Sequence, residues 1–227
     1  MNAQTQFRLR KDCPHVKLRL AALVALTLLG GCRHTGDIVD EANGVYAVRS
    51  ACPIAGVPAG TGDITLFNPA GSLDSRAIDV TATITDVRGT CADSGNDVAS
   101  TITFTIVGLR SDAGPARQVL LPYFDVALRG GATVVAKRVG QAVLNFAPGD
   151  VHAWTRLQAI VRVNRGAATL PASARQALTR ERKPGETEAA IDPLSDPAVK
   201  AAVANATFEH LIGFELTQDQ LKYNATR

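Results

Sequence analysis

AIDVTATITD, residues 77–86, alternates without a break: Ile78, Val80, Ala82 and Ile84 fall on one side of an extended chain, Asp79, Thr81, Thr83 and Thr85 on the other. Successive side chains of a β-strand point to opposite faces, so the pattern predicts a half-buried strand, apolar inside with a threonine ladder outside. Working outward, Ile102, Phe104 and Ile106 repeat the pattern against Thr101, Thr103 and Thr105. Residues 119–128 and 133–146 form two further runs around Gly130-Gly131, a dipeptide that accepts the positive φ of a tight hairpin turn. Pro122 has no backbone N–H to give to a neighbour, which predicts an edge or bulged position for the first of these runs. Residues 154–163 read as another strand, and 46–49 and 63–67 as shorter ones.

Six or seven strands separated by turns, with no helices between them, predict a mainly β domain over 45–168, an antiparallel sandwich rather than a parallel α/β sheet. It is immunoglobulin-like in architecture only, because Trp154 lies beyond both Cys52 and Cys91 instead of between them. A helical tail is expected to follow. Residues 169–183 predict a connecting helix, with Pro171 early and basic residues late, and 184–195 a linker rich in Pro, Gly and acid. Asp196 then reads as an N-cap with Pro197 in the first turn, and Val199, Ala202, Val203, Ala206 and Leu211 follow at helical spacing up to Gly213. Thr217 with Gln220 three residues later forms a capping box for a last short helix, so 196–227 is expected to be a helical unit.

The chain has 227 residues, 46% of them apolar and 20% charged, which excludes a disordered chain and a miniature disulfide scaffold. Its net charge of +3 comes from the first 31 residues, where Arg8, Arg10, Lys11, Lys17 and Arg19 face Asp12 alone. The remainder carries 19 basic and 20 acidic residues, so nothing in its charge points to nucleic acid. The basic segment precedes an apolar run, LRLAALVALTLLGGC at 18–32, too short to span a bilayer comfortably, since crossing takes about 20 apolar residues. This is the pattern of a secretory signal over 1–31. Its end, Leu29-Gly30-Gly31-Cys32, resembles the lipobox of bacterial lipoproteins. That resemblance implies cleavage before Cys32, acylation of its thiol and new amine, and a polar tether over 32–44. Arg33 stands where an Asp would imply retention at the inner membrane, so the resemblance implies an outer-membrane protein facing the periplasm.

With Cys13 removed and Cys32 acylated, Cys52 and Cys91 remain, and two cysteines in an oxidising compartment read as one disulfide. Chemistry is otherwise sparse. His34, His152 and His210 are isolated in sequence, with no spacing suited to a metal. Nucleophile-elbow, Walker and dinucleotide-binding motifs are absent from the sequence, and no cofactor is expected. Gly56, Gly60 and Gly62 suggest a turn, and the acidic stretch 93–97 a solvated turn rather than a calcium loop. Phe208, Phe214, Leu216, Leu221 and Tyr223 concentrate apolar rings and chains near the C-terminus, and of these Phe214, Leu216, Leu221 and Tyr223 are candidates for partner binding.

The stretches DPLSDPAVKAAV and FELTQDQLKYNATR resemble uncharacterised envelope lipoproteins of Gram-negative bacteria. The resemblance implies a family and no mechanism. The function expected is a non-enzymatic binding or scaffolding module, held to the membrane by its lipid and engaging an envelope protein. The alternatives are an envelope hydrolase with a dispersed site that includes Asp150 and His152, or a surface-exposed adhesin-like module. Replacing Cys32 with Ser is expected to abolish signal cleavage and membrane attachment together. Membrane fractionation with N-terminal sequencing checks this, and a processed, membrane-bound Cys32→Ser protein would contradict it.

Overall fold

The computed structural model describes residues 51–180, Gly185 and residues 191–226. The signal segment, Cys32, the tether and the strand expected at 46–49 lie outside these residues. Eight strands are described: β1 (Ile54–Gly56), β2 (Asp63–Phe67), β3 (Ile78–Ser94), β4 (Asp97–Arg110), β5 (Arg117–Arg129), β6 (Thr133–Phe146), β7 (His152–Asn164) and β8 (Phe208–Phe214). They form two four-stranded sheets, β1-β8-β5-β6 and β2-β3-β4-β7, called here the first and second sheets. All pairings are antiparallel except β1 with β8, which run parallel. The mainly β sandwich expected from the alternating runs is the observed architecture.

The core lies between the sheets and draws on both. Ile64, Val80, Ala82, Ile102, Phe104 and Ile106 of the second sheet pack with Leu121, Leu144, Phe146, Ile212 and Phe214 of the first. At about 25 cal/mol per Å² of apolar surface, each of these side chains larger than alanine contributes about 1.5–3 kcal/mol on burial. Gly130 and Gly131, both at positive φ, make the β5–β6 turn. Pro122 is not on an edge strand, because β5 lies between β8 and β6, but β5 is irregular as the bulged alternative had it, with a register shift between Ala127 and Leu128. The proline is tolerated because β8 pairs with β5 only from Tyr123 onward, and the side of Pro122 that lacks an N–H faces the place where β8 has ended. There its carbonyl accepts from Glu215 N at 3.0 Å.

Among the described residues, three short α-helices accompany the sheets: α1 (Ala172–Thr179), α2 (Pro197–Ala206) and α3 (Gln218–Thr226). Asp196 caps α2 by accepting from Ala198 N at 2.8 Å. The capping box is present: Gln220 N donates to Thr217 Oγ1 at 3.2 Å and Thr217 N donates to Gln220 Oε1 at 2.9 Å. The expectation of a helix continuing to Gly213 is corrected, because 208–214 is a strand inserted between β1 and β5. Alternation places Phe208, His210, Ile212 and Phe214 on the inner face, all buried, and helical geometry could not bring these four to one side.

The second sheet contains one irregularity on which the rest of β3 depends. Thr85 pairs with Thr105 but Arg88 with Thr103, so β3 carries one extra residue, a β-bulge. Asp86 supplies the positive φ of 52°, a conformation Asp tolerates better than most residues. The extra residue shifts the phase of alternation. Before it the even residues Val80, Ala82 and Ile84 face inward, and after it the odd residues do, with Gly89 opposite Ile102 and Cys91 opposite Ser100. Gly89 has no side chain because a Cβ there would run into Ala55 of β1. Cys91 thereby meets Cys52, just before β1, and the two form a disulfide with Cα atoms 5.9 Å apart. The bond joins the edge of the first sheet to the second.

Closing a loop with a sequence separation of 39 is worth about 4 kcal/mol in loop-closure entropy. Urea denaturation of a Cys52→Ser/Cys91→Ser double variant is therefore expected to show a loss of up to ~4 kcal/mol, with the native sheet content kept in far-UV circular dichroism. An unchanged denaturation midpoint would contradict the stapling role.

Candidate functional site

The polar groups buried between the sheets are the first place to look for chemistry. Ser100 on β4 and His210 on β8 meet across the gap, with Oγ 3.1 Å from Nδ1. Asp125, on the inner face of β5, is held by Arg138 of β6 through Nη2 at 2.7 Å and Nε at 3.2 Å. The same Arg138 Nη2 donates to the Ile160 carbonyl of β7, so one guanidinium ties the edge strands of the two sheets together. Serine, histidine and aspartate are the ingredients of nucleophilic hydrolysis, but that reaction needs an accessible hydroxyl and an Asp bonded to the far ring nitrogen. Here Ser100 is 1% and His210 0% exposed, and among the described residues His210 Nε2 has no hydrogen-bond partner. The pair is a polar lock inside the core. Burial holds the imidazole pKa below its ordinary 6.5; Asp125 raises it and Arg138 lowers it further, each more weakly than burial does.

The residues proposed for a dispersed hydrolase site do not converge. Asp150 is exposed in the β6–β7 loop, and its carbonyl accepts from Arg110 Nε at 2.7 Å. Arg110, buried at the end of β4, also donates to the carbonyls of Gly114, Pro115 and Ala147, so it acts as a clamp on two loops. His152 is exposed on the outer face of β7, opposite Leu109. Within 93–97 the chain turns from β3 to β4, with Gly95 at positive φ and Asp93 paired to Arg165 at 2.6 Å. No group of three or more metal-ligating side chains occurs among the described residues.

The C-terminal candidates are placed mostly inward. Phe214 is 0% exposed, in the main core, and Leu216 packs against that core half-buried. Tyr223 meets Phe67 edge to face at 5.2 Å. Its neighbour Asn224 donates to the carbonyls of Gly60 at 2.9 Å and Asp63 at 2.8 Å, which pins α3 along the free edge of β2. Leu221 is the exposed member of the four.

The open surface is the outer face of the second sheet, where the threonine ladder was expected. Cross-strand pairing sets it out in rows. Asp63, Thr83, Val107 and Trp154 form one; Thr65, which is buried, and then Thr81, Leu109 and His152 form the next. Thr85, Thr105 and Arg156 lie on the other side of the Trp154 row. Val107 and Leu109 are exposed, and Trp154, the one Trp in the chain, is 70% exposed beside them on edge strand β7. A large aromatic ring standing on a rigid sheet, flanked by aliphatic side chains and rimmed by Thr, Arg and His, has the make-up of a binding surface: a flat apolar centre with polar groups around it. Alternation alone did not single out Trp154, because β7 is apolar on both faces at its start, and only its pairing with Val107 shows which way the indole points. Among known proteins no family model, curated protein or solved structure matches the chain.

The lowered His210 pKa fixes a sign. The unfolded chain binds more protons than the folded one between the ordinary pKa near 6.5 and the lower folded value. Stability from this group is complete above about pH 6.5 and falls as the pH drops through the folded pKa. Removing both partners as Ser100→Ala/His210→Leu is expected to leave stability at neutral pH unchanged within about 1 kcal/mol or raised, since no orphaned polar atom remains. It should also flatten the loss between neutral and acid pH in urea titrations. An equal acid loss in parent and double variant would contradict the assignment.

Proposed function

We propose that this chain is a non-enzymatic binding module of the bacterial envelope. Acylated Cys32 attaches it to the outer membrane facing the periplasm, and the outer face of the second sheet around Trp154 docks an envelope protein. The single observation that carries the reading is the exposure of Trp154, on edge strand β7, next to the exposed Val107 and Leu109 of β4. Tryptophan buries up to about 250 Å² and is among the residues most enriched at interaction hot spots. The Cys52–Cys91 disulfide supports an oxidising compartment, as the signal segment does. The sealing of Ser100 and His210 and the scattering of Asp150 and His152 take support away from the hydrolase alternative. The inward packing of Phe214 and Tyr223 moves the expected docking surface from the tail to the sheet.

A photo-crosslinking residue placed at position 107 or 154 of the full-length protein in its own envelope is expected to capture a discrete partner. The same residue at Leu120, exposed on the outside of the first sheet, is not. Trp154→Ala should weaken capture by at least about tenfold, the range of a hot-spot truncation. It should leave stability within about 0.5 kcal/mol, as expected of an exposed site. Equal adducts from positions 120 and 154, or undiminished capture by Trp154→Ala, would overturn the proposal.

A further inference from the structure

The edges of the two sheets are not alike. Short strands, bulges, lysines and covering helices keep a sheet edge from pairing with another chain. β1 is 3 residues long, and β2 is 5 residues long with α3 pinned along it. β6 carries an extra residue, Val135, between the pairs Val134–Leu128 and Ala136–Ala127, with the exposed Lys137 close by. Past Thr83, the last residue of β3 to pair with β2, the outer edge of β3 is broken by the bulge at Asp86. β7 has none of these devices: its 13 residues run in unbroken register with β4, and no strand pairs with its other side.

Two hydrogen bonds fix which backbone groups of β7 face outward. Arg110 N donates to Val151 O and Arg165 N to Asn96 O, each at 2.9 Å, so odd residues bond to β4 and even residues turn their N–H and C=O to the free edge. The even residues from His152 to Arg162 are all exposed. Arg138 Nη2 takes the Ile160 carbonyl and closes the edge there. Among the described residues, the edge-facing backbone groups of Trp154, Arg156 and Gln158 have no hydrogen-bond partner.

We infer that the partner of the Trp154 surface docks by adding an antiparallel strand to the free edge of β7 along 152–158, and that this strand is acidic. The inference rests on the binding-module reading above and names the partner's chemistry. In this mode main-chain bonds supply affinity and alternate side chains supply selectivity. β7 carries Arg156 and Arg162 and no acidic residue. Arg156 reaches Asp86 at 3.6 Å, but Arg88 already holds that carboxylate at 2.8 Å, and Arg162 has no ion pair among the described residues. A carboxylate opposite Arg156 and an aliphatic side chain opposite Trp154 complete the cross-strand pairs. A second copy of the chain would bring another basic β7 and no carboxylate for either arginine.

The test uses the membrane-extracted protein in detergent micelles and the capped peptide Ser-Gln-Thr-Glu-Val-Ile-Thr-Glu as probe. In antiparallel register its Gln, first Glu and Ile fall opposite Gln158, Arg156 and Trp154. Saturable binding is expected, with hydrogen exchange of the Trp154, Arg156 and Gln158 amides slowed at least about tenfold. N-methylating the peptide at those same three residues should weaken binding at least about tenfold, since the bridging donors are gone. Arg156→Glu should weaken it about three- to tenfold. Gln158→Ala should have little effect. Gln158→Pro, which removes an N–H only from the free edge, where proline is tolerated, should weaken binding at least about tenfold and keep the far-UV circular dichroism of the parent. Absence of saturable binding, equal affinity for the N-methylated peptide, or unchanged exchange of the three amides overturns strand addition. Envelope capture from position 107 that survives Gln158→Pro but is lost in Trp154→Ala would overturn it while leaving the Trp154 surface in place. Undiminished binding by Arg156→Glu overturns the acidic partner, and self-association abolished by Gln158→Pro does so by making a second copy the occupant.

Discussion

The sandwich depends on a strand supplied by the end of the chain. β8 lies between β1 and β5, pairing parallel with one and antiparallel with the other, so without it β1 has no neighbour in the first sheet. It carries Ile212 and Phe214 into the main core and Phe208 into a smaller cluster with Val163 and Ala168. Its last residue also reaches out of the sheet, Phe214 N donating to Thr61 O at 2.8 Å ahead of β2. Contacts of such long sequence separation carry a large loop-closure cost, met only when the apolar faces close together. The helices and linker between β7 and β8 are therefore the path by which the chain returns to the middle of its own fold.

A second constraint divides inside from outside. The bulge at Asp86 changes which residues of β3 face the core, and the disulfide, the close approach at Gly89 and the pairing of Cys91 with Ser100 all follow from that change of phase. The bulge leaves β4 untouched, so its outward residues stay in one line from Thr101 to Leu109, with β7 alongside. That continuity presents Trp154 beside Val107 on the outer face. The polar groups that resemble catalytic machinery are on the opposite, inner side, where Arg138 ties the open edges of the sandwich and His210 is kept neutral by burial.

Much of this was legible from alternation. Residues 63–67 form a strand with the expected ends, the inward residues of 78–84 and 102–106 are those the pattern chose, and Thr217 with Gln220 caps its helix as read. FEHLIGF at 208–214 was not legible, for a physical reason. His210 occupies an inward position normally held by an apolar residue, and Leu211 an outward one, so the alternation is masked. Val199, Ala202 and Val203 lead into Leu211 at helical spacing, and Gly213 mimics a helix end. What distinguishes the strand is a partner about 80 to 90 residues away in β5. The same holds for the sites. Nothing local shows that Asp86 starts a bulge, that Thr65 lies under α3, or that the aromatics of the tail are spent on the core and on Phe67.

The central claim is that 208–214 is an interior strand of the first sheet. Native-state hydrogen exchange of the backbone amides tests it most directly. The account predicts that 210–214 exchange as slowly as their β5 partners 123–127, opening only with global unfolding. Exchange of 210–214 at the rate of a frayed terminus, with β5 still protected, would contradict it.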